Sequence, residues 1–212
     1  MLQLRDLVIS HNKRELDFGN LDLHKGSISI IKADQKSDID LLLLTISGII
    51  PHKKGEILLN SSDFLISSRK KKVGFYSVNY PDPPYLTIKD YINYKGKFRG
   101  VDKNVISSRL SWFESFFEFN RYLKLERENL TPLVINLTRL FNSVIIRDSV
   151  IVMFEPLLYF SCDLYLPFKK IVESLKESGA MILIATYGLG DYSGLSDDLY
   201  ILNSSNTLSK SV

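Results

Sequence analysis

The spacing of apolar residues along the first third of the chain predicts short strands. They are expected over 2–9, 20–23, 27–31, 55–59 and 72–76. A turn at 24–26, where Gly26 can adopt a positive φ, is expected to join the second and third strands as a hairpin. A helix is predicted over 37–47, because apolar residues recur there at helical spacing until Gly48 ends the pattern.

The rest of the chain alternates between helical and extended patterns. A proline-rich connector precedes helices predicted over 87–98, 105–119 and 136–147. A strand over 150–154, a helix over 163–178 and strands over 181–185 and 199–202 follow. The basic run at 69–72 is expected in a loop, and the polar tail from 204 to 212 is expected to fray. This alternation predicts an α/β fold with a mixed sheet flanked by helices.

The composition agrees with a folded domain and excludes several other classes. Of the 212 residues, 45% are hydrophobic and 24% are charged, and the net charge is +3, which does not demand a nucleic-acid partner. The single cysteine, Cys162, cannot form an internal disulfide. Apolar stretches break off well before the ~18 residues of a membrane span, and the N-terminus lacks a signal-peptide pattern. We therefore expect a soluble, intracellular protein.

Five segments in consistent order resemble the nucleotide-binding subunits of ATP-binding-cassette (ABC) transporters. Residues 48–57 (GIIPHKKGEI) resemble the family's G-L-x-x-P-x-x-G-E-I, and residues 86–92 resemble L-T-V-x-E-N-L. The strand at 149–156 ends in Phe-Glu-Pro, where the family has Asp-Glu-Pro. Residues 179–186 and 198–202 resemble the family's G-x-T-V-L-I-A-T-H and D-R-V-x-x-L. The resemblance covers nearly the whole chain and implies the ABC-type P-loop NTPase-like fold, with an N-terminal antiparallel β portion.

The resemblance also implies a domain organisation. Residues 1–212 would form one ABC-ATPase-like domain, in which 1–86 and 136–212 make the nucleotide-binding-like core. Residues 87–135 would be the inserted helical subdomain. Family members grip a membrane permease in the cleft between these two parts. In this chain that cleft would be bordered by residues 78–91 and lined by four aromatic residues, Tyr80, Tyr85, Tyr91 and Tyr94.

The phosphate-binding loop of the family departs from its pattern in this chain. The pattern G-x-x-x-x-G-K-[ST] wraps phosphates with backbone N–H groups, supplies a lysine and holds magnesium with a hydroxyl. Aligned on Gly48, its two glycines become Ala33 and Asp38, its lysine becomes Ile39, and its hydroxyl becomes Asp40. The two aspartates place carboxylates at the helix N-terminus that would hold the phosphate, and a triphosphate would be repelled.

The other nucleotide motifs are altered as well. Phe154 stands at the position of the magnesium-ordering aspartate, and Tyr187 at that of the switch histidine. The signature L-S-G-G-Q is replaced by LTPLV at 130–134, and the loop glutamine falls at Val78, beside Asn79. Only Glu155, at the position of the catalytic base, is retained. These nucleotide-binding positions are therefore degenerate.

Two residues allow both a functional and a structural interpretation. Glu155 could polarise water, but the structural alternative is a strand-end glutamate that fixes the loop before Pro156. His11 lies where the family places an aromatic residue that stacks on adenine, and the alternative is a histidine on a surface loop. The four tyrosines could likewise cover the domain's own helices instead of a partner. For Glu155 and His11 the structural interpretation is favoured, whereas for the four tyrosines both interpretations stay open.

The resemblance and the altered motifs together predict a pseudo-ATPase. We expect a catalytically degenerate subunit that is cytoplasmic and docks on an integral membrane permease, with no cofactor, no metal and no nucleic-acid partner. A homodimer and a heterodimer with another ABC ATPase both stay open. One alternative is a divergent but active ABC ATPase that uses ATP and magnesium to drive transport. Another is a soluble interaction scaffold unrelated to transport, for which the basic run at 69–72 would be the contact surface.

Overall fold

The computed structural model describes residues 1–79, 86–126, 129–146, 149–192 and 194–211. Its strands are β1 (Leu2–His11), β2 (Arg14–Leu23), β3 (Ser27–Ala33), β4 (Lys54–Leu59), β5 (Ser62–Asp63), β6 (Val73–Ser77), β7 (Val150–Phe154), β8 (Met181–Thr186), β9 (Asp198–Leu202) and β10 (Leu208–Lys210). Its helices are α1 (Ile39–Ile46), α2 (Ile66–Lys72), α3 (Ile88–Phe98), α4 (Lys103–Glu114), α5 (Pro132–Val144) and α6 (Cys162–Glu177). The predicted α/β class is confirmed.

A six-stranded sheet in the order β10-β9-β3-β8-β7-β6 forms the centre of the fold. The strands from β9 to β6 are parallel to one another, and β10 pairs antiparallel with β9. Successive residues of β7 and β8 belong to two different hydrophobic clusters, one on each face of the sheet. Because both faces are covered, these strands are continuous apolar runs instead of alternating ones. The predicted mixed sheet flanked by helices is confirmed.

A second, antiparallel sheet in the order β2-β1-β4-β5 packs with α1 on one face of the central sheet. It is the predicted N-terminal antiparallel portion. Its first hairpin turns at Asn12 and Lys13, whose φ values of 48° and 64° suit a two-residue turn matched to the strand twist. The predicted hairpin at 24–26 is wrong, because β2 pairs with β1, whereas β3 pairs with β8 and β9 in the central sheet.

Helices α3 to α6 pack on the other face of the central sheet. Phe113 of α4 and Phe141 of α5 meet edge to face, with ring centroids 5.3 Å apart. α5 begins at Pro132, four residues before the predicted start, because Thr131 caps it and accepts the N–H of Val134 at 3.4 Å. α4 spans Lys103–Glu114, so the helix predicted over 105–119 ends earlier than expected.

Two segments that were expected to be irregular have regular structure. The basic run at 69–72 closes helix α2, and the Arg69 side chain is buried instead of solvated. The tail forms β10, in which Leu208 pairs with Leu202 of β9. Both expectations were wrong because polar composition does not report pairing at a sheet edge or a short helix against the core. Among the described helices, none has the length and apolar character that crossing a membrane takes.

Candidate functional site

Glu155 and the loop that aligns with a phosphate loop lie at the carboxyl ends of the central parallel strands. β3 ends at Ala33 and leads through a short loop into α1, while Glu155 and Tyr187 directly follow β7 and β8. The carboxyl edge of an open parallel sheet is the usual place of ligand binding in α/β folds. The structure therefore groups here most of the residues singled out in the sequence.

The N–H groups of the loop after β3 form hydrogen bonds within the chain. Lys36 donates its N–H to Oδ1 of Asp34 at 2.8 Å, and Ser37 donates to the Asp34 carbonyl oxygen at 2.9 Å. Asp38 donates its N–H to Oδ1 of Asn206 at 2.6 Å. Three consecutive donors are thus satisfied by side-chain and backbone oxygens of the protein itself.

Asn206 is a functional-site residue that the sequence analysis did not find. It lies between β9 and β10, is buried, and has a φ of 63°. Besides accepting the Asp38 N–H, it donates its Nδ2 group to Oδ2 of Asp38 at 2.9 Å. Its side chain therefore closes the start of α1 with a pair of hydrogen bonds. The only sequence signal, an Asn/Ser-rich tail, pointed to disorder instead.

Changing Asn206 to aspartate is expected to lower the free energy of unfolding by about 1–3 kcal/mol at neutral pH, because a carboxylate would then face the Asp38 carboxylate. Aspartate tolerates the positive φ of this position about as well as asparagine does. The repulsion exists only while both groups are ionised, so the loss should vanish in acid. Urea unfolding at neutral and acidic pH measures it. Ser205→Asp, an exposed change in the same loop, is the control, and an equal loss at both pH values would contradict the assignment.

The first turn of α1 places Ile39 and Asp40 in different surroundings. Ile39 is fully buried and belongs to the hydrophobic cluster between the two sheets. Asp40 is partly buried, and this burial raises the pKa of its carboxyl group, while a hydrogen bond with the Asn79 side chain opposes the rise. The raised pKa marks surroundings that disfavour the ionised carboxylate.

Glu155 is held by the chain that follows β8. Oε1 of Glu155 accepts the N–H of Tyr187 at 2.6 Å, and both carboxylate oxygens lie 3.2 Å from the Thr186 hydroxyl. The Glu155 backbone has a φ of 47°, a left-handed conformation that is uncommon for this residue type. These contacts connect the ends of β7 and β8 and fix the orientation of the carboxylate.

Phe154 and Tyr187 form an aromatic contact beside this glutamate. Their ring centroids are 5.4 Å apart and their planes are perpendicular. Phe154 is buried, whereas Tyr187 is partly exposed. Burial raises the pKa of the Tyr187 hydroxyl, and the nearby charges of Asp40 and Glu155 raise it further. The tyrosine hydroxyl therefore stays protonated next to the two carboxyl groups.

The remaining predicted residues lie in several places. Ala33 is buried at the end of β3, and His11 is exposed at the end of β1, opposite Arg14. Of the four tyrosines, Tyr80 and Tyr85 lie outside the described residues. Tyr91 is 9% exposed, and Tyr94 is 58% exposed.

Comparison with solved structures identifies the fold. The chain has the fold of the ATP-binding cassettes of ABC transporters. Over 100% of this chain and 90% of the other, it is similar to an ATP-binding subunit of an ABC transporter, with a TM-score of 0.90 and 15% identity. A bacterial ABC transporter cassette with a dimeric structure matches 99% of this chain and 98% of its own, with a TM-score of 0.83 and 14% identity.

A curated relative gives the same indication from sequence. The Fe(3+) ions import ATP-binding protein FbpC of Fusobacterium nucleatum is 20% identical over 185 residues, which cover 86% of this chain. The chain spans about half the length of that protein (50%). No family model matches the chain. The sequence resemblance to ABC cassettes is thus confirmed at the level of the fold.

Proposed function

We propose that this chain is an ABC-type cassette that does not hydrolyse ATP and that serves as a structural or regulatory subunit on a membrane permease. One observation carries the first half of the proposal. The N–H groups of Lys36, Ser37 and Asp38, which lie where a phosphate loop would offer donors, are engaged by Asp34 and Asn206. A phosphate would have to break these hydrogen bonds before it could be bound.

The charges of the loop also oppose a nucleotide. Asp34, Asp38 and Asp40 place three carboxyl groups in and beside the loop, where a phosphate site needs a positive potential. The lysine that would contact the phosphates is replaced by Ile39, whose side chain lies in the core. A triphosphate would therefore meet repulsion and no compensating cation at this helix N-terminus.

The residues at the magnesium position do not fit a Mg²⁺–ATP complex either. A carboxylate can bind magnesium, but burial raises the pKa of Asp40 and so makes its ionised form less favourable than in water, and Asn79 already hydrogen-bonds to it. Phe154 supplies a ring where an oxygen ligand would be needed. These residues therefore do not support chemistry on a Mg²⁺–ATP complex.

Glu155 has a structural role in this proposal. Its carboxylate accepts the Tyr187 N–H and contacts the Thr186 hydroxyl, so it fastens the end of β7 to the chain after β8. A general base must be able to reach the proton that it removes, and an activated water needs an electrophile beside it. The loop after β3 offers no site for such an electrophile.

The second half of the proposal concerns docking. We assign residues 1–86 and 136–212 to the core and 87–135 to the helical subdomain, with a cytoplasmic permease contact at the cleft between them. Tyr94 and Phe98 on α3 are 58% and 48% exposed, and with Tyr91 they form the proposed aromatic rim of this cleft. Tyr80 and Tyr85, which lie outside the described residues, belong to the same proposed set. Exposed aromatic side chains beside a concave surface are common anchors of protein interfaces.

Membrane vesicles from the source cells test the docking. The purified chain is expected to co-sediment with native vesicles and not with vesicles stripped of surface protein by protease, with or without ATP. Tyr94→Ala combined with Phe98→Ala should weaken this association at least about 30-fold, which corresponds to ~1 kcal/mol or more for each interface aromatic. Tyr91 is not used, because its burial would make an alanine there a packing defect.

An equally exposed apolar pair elsewhere serves as the control. Leu158 and Tyr159, which follow β7, are also 58% and 48% exposed. Their double alanine variant should bind vesicles like the wild type. Equal binding to native and protease-treated vesicles would mean that lipid, not a protein partner, holds the chain, and it would contradict the docking proposal.

A further inference from the structure

A cavity of about 290 Å³ lies where the central sheet meets α3 and α5. Its walls include β6 residues on one side, and α3 and α5 residues on the other. Phe98 of α3 lines the cavity and is 48% exposed, and Tyr94, which is 58% exposed, lies one helical turn before Phe98. The cavity therefore belongs to the cleft proposed above as the docking surface.

The charges that line the cavity are all of one sign in the described part of the chain. Lys70, Lys95, Arg99 and Arg139 contribute side chains to its wall, and no aspartate or glutamate does. Arg99 donates Nη1 to the Asn142 carbonyl oxygen at 2.8 Å. Burial lowers the pKa of Arg99 to about 10, so its charged form would be stabilised by an anion in the cavity. Low-dielectric walls strengthen such an attraction.

Two buried polar side chains of the cavity wall also have no hydrogen-bond partner among the described residues. Both the oxygen and the nitrogen of the Asn142 amide are unpartnered, although Asn142 is only 5% exposed. The hydroxyl of Ser47, a residue that is 3% exposed, also has no hydrogen-bond partner among the described residues. An unsatisfied buried polar group is costly, so an occupant that bonds to these groups gains their full hydrogen-bond energy.

The exposed aromatic side chains of Tyr94 and Phe98 favour one kind of anion over another. A free phosphate or carboxylate ion could fill a cationic cavity, but it would leave Tyr94 and Phe98 exposed to water. A protein segment with a carboxylate flanked by apolar residues would balance the positive charge of the cavity and cover both rings at once. Charge complementarity and the aromatic rim thus both favour a protein segment that carries a carboxylate.

We propose that the cavity receives an aspartate or glutamate side chain from an otherwise apolar segment of the membrane partner. This inference rests on the proposed docking function and adds the chemistry that selects the partner. The carboxylate would lie between Lys95 and Arg99 and accept a hydrogen bond from the Asn142 amide. Lys70 and Arg139 would attract it from the edge of the cavity.

Charge reversal in the vesicle assay tests the inference. Lys70→Glu combined with Lys95→Glu should weaken binding to native vesicles about 10- to 100-fold, because like charges would now face the carboxylate. The charge-conserving variant, Lys70→Arg combined with Lys95→Arg, should bind like the wild type. Lys97→Glu combined with Lys103→Glu makes the same change in net charge on exposed lysines outside the cavity, and it should leave binding unchanged. Melting curves of every variant exclude unfolding as the cause.

The possible outcomes separate the two proposals. If the wild type binds through a protein partner and the reversed cavity binds equally well, the carboxylate inference is overturned while docking stands. If the wild type shows no partner-dependent binding, the docking proposal fails and the inference fails with it. Inorganic phosphate that raises the melting temperature of the wild type but not of the reversed variant, with vesicle binding unchanged, would assign the cavity to a free ion and overturn the inference.

Discussion

The purified chain is expected to hydrolyse ATP no faster than its own Glu155→Gln variant. Loss of a single transition-state hydrogen-bond donor lowers a rate by about 10²–10³. In the proposed function the loop N–H donors are occupied, Ile39 stands at the lysine position, and Phe154 stands at that of the magnesium-ordering aspartate, so several such losses combine. Phosphate release measured on both proteins, purified identically, tests the expectation.

The paired variant is what makes this measurement decisive. A contaminating ATPase would give the same rate in both preparations, because it does not depend on Glu155. Turnover in the wild type that disappears in Glu155→Gln would instead show that the retained glutamate works as a base. That result would support the alternative of a divergent but active ATPase.

The largest effect on folding is expected from Gly74→Ala. A Cβ atom at Gly74 of β6 would lie 1.9 Å from the carbonyl oxygen of Ser143 in α5, a distance that no relaxation of a flexible side chain can relieve. Helix α5 would have to move away from the sheet, at a cost of about 2–4 kcal/mol in the free energy of unfolding. Chemical unfolding followed by circular dichroism measures this loss.

Gly188→Ala is the matched control for this substitution. Nothing lies within 4 Å of a Cβ at Gly188, so that change should alter stability by about 0.5 kcal/mol or less. If Gly74→Ala were as stable as this control, the close packing of α5 on β6 would be wrong.

The sequence predicted the central parts of the fold because those parts carry strong local signals. β7 and β8 are unbroken apolar runs, and they form the middle of the sheet with both faces buried. α1 ends at Ile46, one residue before the predicted end at 47, and the predicted stop Gly48 follows with a φ of 73° that other residues rarely adopt. Burial on two faces requires a run of apolar residues, and a positive φ favours glycine, so both features can be recognised in the sequence.

The errors occurred where pairing at a distance overrides local preference. The connection between β2 and β3 looks like a hairpin turn, but the strands belong to different sheets. The tail is polar, yet β10 gains its order from hydrogen bonds with β9. A short turn or a polar stretch reports nothing about which distant strand it will meet.

In the candidate site, too, some residues could be predicted from the sequence and others could not. The altered positions Asp38, Asp40 and Phe154 could be located by register with the ABC pattern, and the fold brings them to one edge of the sheet. The residues that hydrogen-bond to these positions could not be located in this way. Asp38, for example, pairs with Asn206, which lies 168 residues further along the chain. Hydrogen bonds of this kind depend on the folded backbone and have no sequence motif.

Calorimetric titration of the chain with Mg²⁺–ATP tests the central claim most directly. The hydrogen bonds from the loop to Asp34 and Asn206, together with the carboxyl groups around α1, predict no saturable heat of binding at micromolar to millimolar nucleotide. A saturable isotherm with a dissociation constant in the micromolar range or below would contradict the claim. In that case the loop would open to admit a phosphate, and the chain would be a nucleotide-binding cassette after all.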